Sequence, residues 1–97
     1  MLYTINKSPL MTTNLQSALR IAPEGDPILL YEDGVYAAAS GTASEGWVKQ
    51  ALDKHAMYAL KADVQARGLT QLVDGIQVID YDGFVELVEK HHVVPWL

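Results

Sequence analysis

Apolar and polar positions along the chain switch between two periods. Leu2-Tyr3-Thr4-Ile5 is a short alternating run of strand formers and reads as a first strand. Asn6-Lys7-Ser8-Pro9 ends it, because proline cannot donate to a ladder. Leu15, Ala18, Leu19 and Ala22 then fall at i, i+3, i+4 and i+7, one face of a helix opened by a Thr13/Gln16 capping box and stopped by Pro23. Ile28 to Tyr31 is an unbroken apolar run, as expected of a strand buried on both faces. Asp33-Gly34 turns the chain into a short small-residue helix over 35–39, with Asp33 as its N-cap. A further helix is expected over 45–54, capped by Ser44 and burying Trp47, Val48, Ala51 and Leu52.

The third strand is expected over 56–60. A helical turn follows from Asp63 to Arg67, an i, i+4 pair, closed by Gly68 as a left-handed cap. After a loop over 69–74 and Gly75 comes a fourth strand, 76–79. Asp80 caps a last helix whose apolar face is Phe84, Leu87, Val88 and His91, and 93–97 is a tail. Strands alternate with helices four times. The expected class is therefore α/β: a small open parallel sheet of about four strands built from βαβ repeats. Right-handed crossovers would place helices on both faces. The expected strand order is 2-1-3-4, with the first and third strands central.

Composition narrows the chemistry. The 97 residues suit one domain spanning 1–97, and 49% are hydrophobic, which argues against disorder. Net charge is −5, and the seven basic residues form no run, so no direct nucleic-acid contact is expected. There is no cysteine, so the chain offers no disulfide, thiolate metal site, redox dithiol or cysteine nucleophile. No run is long enough to cross a bilayer and the N-terminus lacks a secretory pattern, so a soluble cytoplasmic chain with no membrane partner is expected. No glycine-rich phosphate loop follows the first strand, and Ser8 has no nucleophile-elbow context.

The chemistry-bearing residues gather where strands end. Asp33-Gly34, Asp63 and Asp80 each follow an expected strand. They form either a carboxylate cluster for acid–base work or metal binding, or a set of helix caps and strand-end loop residues, and capping accounts for all of them at once. Adjacent His91 and His92 point about 100° apart on a helix and chelate one ion poorly. Val35 and Tyr36 on the helix after Gly34, and Trp96 and Leu97 at the chain end, are the candidate contact surface. A terminal tryptophan can pack on its own domain or on a partner.

Four segments in order carry a family resemblance: 2–9, 29–38, 58–68 with Tyr58, Asp63 and Gly68, and 79–85 with the closing Trp96. Together they resemble the TusB/DsrH sulfur-relay family over essentially the whole chain. The resemblance implies a DsrE/F-like α/β fold, no cofactor, and assembly with two homologous sister subunits, TusC/DsrF-like and TusD/DsrE-like, into a heterohexamer. Such a complex passes sulfane sulfur between carrier proteins as a cysteine persulfide, towards wobble-uridine 2-thiolation of tRNA or towards dissimilatory sulfur oxidation. The principal persulfide cysteine belongs to the DsrE-like sister. Some members carry a cysteine where Ala18 stands here, and many a histidine where Tyr3 stands. The expected role is thus a non-catalytic structural subunit. A small enzyme using the strand-end carboxylates and a stand-alone homo-oligomeric binding module are the rivals.

Overall fold

A computed structural model describes residues 1–97. Five parallel strands form one sheet: β1 (Leu2–Ile5), β2 (Ile28–Leu30), β3 (Met57–Leu60), β4 (Gln77–Ile79) and β5 (Val93–Trp96). Helices α1 (Asn14–Ile21), α2 (Glu45–Leu52), α3 (Lys61–Ala66) and α4 (Tyr81–Lys90) connect them, and a 3-10 segment, Glu32–Ala38, precedes α2. The class is α/β as expected, with two corrections. The tail is a strand, and the order is β4-β3-β2-β1-β5 rather than 2-1-3-4. Both corrections have one cause. Residues Leu2 to Ile5 are all buried, so β1 needs a neighbour on each side. β5 supplies one, pairing Leu2 with Val93 through Ile5 with Trp96. Pro95 masks the strand in the sequence, but β5 is an edge, where a residue without an N–H is tolerated.

Side chains alternate across each strand, and the register sorts them. Tyr3, Ile5, Ile28, Leu30, Met57 and Ala59 share one face; Leu2, Thr4, Leu29, Tyr58 and Leu60 share the other. The first face holds the main core. Leu15 and Ala18 of α1, Val48 and Ala51 of α2, Val64 of α3, and Val35, Ala37 and Ala38 of the 3-10 segment close over it. Tyr3 and Trp96 meet edge to face there, with centroids 6.2 Å apart. The loop over 69–74 is pinned to the same side, with Val73 buried and its N–H donating to the Ala38 carbonyl at 2.8 Å.

Several local expectations are corrected. Thr13 makes no side-chain cap; the Thr12 hydroxyl accepts instead, from the Asn14 N–H at 3.3 Å. Ser44 stands at the N-cap of α2 without capping it, and its hydroxyl is paired with Thr42 at 3.0 Å. Instead of a helix starting after Gly34, a 3-10 turn begins at Glu32, so Asp33 lies inside the first turn and Tyr31 is the N-cap. Asp80 does cap α4, accepting from the Gly83 N–H at 2.9 Å. Gly68 has φ +64, the left-handed closure of α3.

Gly34 is required by space. A Cβ there would overlap the Ile5 carbonyl oxygen and stand 2.9 Å from its carbon, both backbone atoms that cannot swing away. The 3-10 segment therefore lies directly on the end of β1. Gly34→Ala is expected to cost about 3 kcal/mol, the upper end of core overpacking, read as a lower urea midpoint at an unchanged slope. A midpoint within experimental error of the parent would remove this contact from the account.

Candidate functional site

The carboxyl edge of the sheet is where the chain does its least regular work. Tyr31 leaves β2 with its N–H donating to the Ile5 carbonyl at 3.0 Å. Glu32 follows with φ 46, the left-handed region that costs a non-glycine residue about 1–2 kcal/mol. Its N–H donates to Asp63 Oδ2 at 2.7 Å, a charge-assisted bond that holds the kink. Arg67 then ties the two strand ends together. Its Nε and a terminal nitrogen reach one carboxylate oxygen of Asp33 at 3.0 and 2.9 Å. Its other terminal nitrogen reaches the Asp63 carbonyl at 3.3 Å and the Asp63 carboxylate at 3.7 Å. The guanidinium lies 6.0 Å from the Tyr36 ring centroid, a cation–π distance.

The strand-end acids are thus divided. Asp33 and Asp63 meet across Arg67, whose single charge they share, while Asp80 is spent on α4. Neither Asp33 nor Asp63 is a helix cap, and no group of three or more His, Asp or Glu side chains converges to hold a metal.

A groove of about 730 Å³ opens beside this clamp, between α4 and the second face of the sheet. Thr4, Tyr31, Leu60, Phe84, Val88 and Val93 contribute to its walls, with Glu32 and Asp63 at the strand-end side. Its position follows from the topology. β3 feeds α3 on the first face and β4 feeds α4 on the second, so adjacent connections part company there. Such a switch point is where open α/β sheets form crevices. Burial pushes the Tyr31 phenol above its ordinary value; the Glu32 carboxylate adds to the shift, and the Thr4 hydroxyl opposes it.

Helix α4 roofs the groove incompletely. None of its ten residues is buried, although five of them are Tyr81, Phe84, Val85, Leu87 and Val88. Tyr81, Val85 and Val88 are 72%, 44% and 38% exposed. They sit at i, i+4 and i+7, so the sequence held a second apolar stripe beside the one read at Phe84, Leu87, Val88 and His91. The expected contact residues disperse. Val35 has no exposed surface, because it points into the core under the 3-10 segment. Tyr36 is half-buried beside Arg67, and Trp96 is half-buried against Tyr3. Leu97 is 76% exposed beyond the edge strand.

Comparison with known proteins places this arrangement. The family described as "DsrH like protein" matches residues 7–94. "Protein TusB" of Serratia proteamaculans is 44% identical over 92 residues, covering 94% of each chain. "Protein TusB" of Escherichia coli K12 has the same identity and coverage, and that of Photorhabdus laumondii is 41% identical over 93 residues, covering 95% of each. Among solved structures, the ychN protein of E. coli superposes with a TM-score of 0.82 at 17% identity, covering 97% of this chain and 96% of that one. Protein Tm0979 of Thermotoga maritima superposes at 0.63 with 24% identity, covering 94% of each. These two likenesses concern the fold alone.

The Tyr31 environment has a consequence at high pH. A phenol whose folded value lies above its unfolded value of about 10 favours the folded state fully below pH 10. That contribution is lost as pH rises through the folded value. Stability to urea is expected to fall as pH rises above about 10, and Tyr31→Phe is expected to flatten the decline. Parallel declines for the two proteins would show that the phenol is not desolvated in the groove.

Proposed function

The chain belongs to the DsrH family, and on that premise we propose that it is a non-catalytic subunit of a cytoplasmic sulfur-relay complex, a single domain over residues 1–97. Two considerations support the reading. Persulfide transfer needs a thiolate to attack the outer sulfur while the donor thiolate leaves, and this chain has no cysteine. The sulfur would then travel on a sister subunit's cysteine. The observation that carries the proposal is the state of α4: five large apolar side chains, none buried, over an apolar groove. An all-parallel sheet is ordinarily covered on both faces, so a partner subunit is expected to complete the cover.

The rim of that surface indicates what kind of partner fits. Glu32 lines the groove, and Asp82, Glu86 and Glu89, each one residue after Tyr81, Val85 and Val88, flank the apolar stripe on one side, against Lys90. A second copy of this chain would bring like charges together, which disfavours the homo-oligomeric reading. A sister α/β domain with a basic rim would match. In this proposal the TusC/DsrF-like and TusD/DsrE-like sisters complete a heterotrimer that doubles to a heterohexamer, serving tRNA wobble-uridine thiolation or sulfur oxidation. Leu97, with Trp96 behind it, would extend the contact along the β5 edge. Tyr36 lies on the opposite side and falls outside it.

Co-expression with the two sister subunits, followed by native mass measurement, tests this reading. The parent chain is expected in a complex of three different chains. Val85→Lys combined with Val88→Lys is expected to weaken that assembly by about a hundredfold or more, close to 3 kcal/mol. Both side chains are already partly in water, so the isolated variant should keep its melting temperature. An intact complex with the doubly charged variant, or a parent chain that ignores both sisters, would overturn the proposal.

A further inference from the structure

A second depression lies on the other face of the sheet, in the furrow between α1 and α2. It has a volume of about 410 Å³. Gln16, Leu19 and Arg20 line it from α1; Trp47 and Gln50 line it from α2, with Lys54 and His55 beyond its end. Three features set it apart from ordinary surface. Arg20 and Lys54 are two of only seven basic residues in a chain of net charge −5, and neither pairs with a carboxylate. The Asp26 carboxylate is engaged elsewhere, 3.3 Å from the N-terminal ammonium. Trp47 is only half-buried and offers one aromatic wall, with Leu19 as an apolar companion.

The third feature is His55. It is 95% buried, at 5% exposure, with Nδ1 2.8 Å from the Asp26 carbonyl oxygen. A carbonyl only accepts, so Nδ1 carries a proton and donates. Nε2 has no protein partner, yet it is not among the enclosed polar atoms that lack one. The ring therefore meets the depression through Nε2. Cations near helix C-termini are accounted for by the helix dipole, which explains Arg20 and Lys54 taken alone. It does not explain a buried imidazole held by one nitrogen with the other left free beside them.

We propose that this furrow binds a phosphomonoester carried on a planar ring. Arg20 and Lys54 match the charge of the phosphate. The ring stacks on Trp47, and the Gln16 and Gln50 amides meet its polar edge. Nδ1 donates to the Asp26 carbonyl, which leaves Nε2 as an acceptor towards the furrow, so the site favours an anion that can itself donate a proton. A phosphomonoester does so in its monoanionic form, whose remaining proton leaves only near pH 6; a sulfate monoester has no such proton. The volume suits a ligand of modest size. The site lies on the face opposite α4 and does not rest on the assembly proposed above.

Calorimetry and amide chemical-shift mapping on the full chain, with phenyl phosphate as the probe, test this inference. Saturable binding below about 10 mM is expected, with shifts confined to residues 16–20 and 47–55. Arg20→Gln with Lys54→Gln, both exposed, should weaken binding at least tenfold at an unchanged melting temperature. Phenyl sulfate, which carries no exchangeable proton at neutral pH, should bind at least fivefold more weakly. Absence of saturable shifts, or affinity unchanged in the double variant, would overturn the site. Equal binding of the sulfate would overturn the choice of a phosphomonoester.

Discussion

The handedness of the crossover connections determines most of what this molecule presents to its surroundings. From β1 to β4 each strand is laid on the same side of the one before it, so right-handed connections keep α1, α2 and α3 on one face. The chain then returns across the sheet to place β5 beside β1. That return, equally right-handed, must pass over the opposite face. A single ten-residue helix is left to cover a side on which three chain segments would be needed. The closed face holds the core, and the open face has a helix with no buried residue and a groove beneath it. The asymmetry arises from topology before any side chain is considered.

The carboxyl edge shows how closely the elements are fastened where the connections part. Gly34 lets the 3-10 segment rest on the β1 backbone, and Glu32 accepts a left-handed backbone to bring the chain there. Asp63 and Arg67 hold that arrangement from α3. Exposed ion pairs contribute little singly, about 0–1 kcal/mol, but Arg67 addresses both neighbouring strand ends at once and so fixes their relative position. A rigid edge beside an incompletely covered face suits a subunit that must present a defined surface.

The periodic features were legible in the sequence. The helical faces at Leu15, Ala18 and Ala22 and at Val48 and Ala51 point inward as their spacing required, and the buried run at Ile28–Leu30 is the middle strand. Strand order was not legible, because it depends on which neighbours bury β1, and one neighbour was concealed by Pro95 in the terminal segment. Caps were half legible. Asp80 behaves as its position suggests, and the Asp63/Arg67 pair read at i, i+4 is present at 3.7 Å, whereas Asp33 is claimed by the same Arg67 from 34 residues away in sequence. Val35 looked like surface because its segment is short and small-residue-rich, and only the close approach permitted by Gly34 sends it inward. The α4 stripe at Tyr81, Val85 and Val88 was visible as spacing, but its exposure follows from the crossover and could not be read locally.

The most direct test of the central claim is amide hydrogen exchange across Tyr81–Lys90, measured on this chain alone and in a mixture with the two sister subunits. The account predicts rapid exchange of α4 in the isolated chain, slowed by about tenfold or more on assembly, with the central strand Ile28–Leu30 protected in both states. Equal exchange of α4 in the two states, with protection gained only on the α1–α2 side, would contradict it.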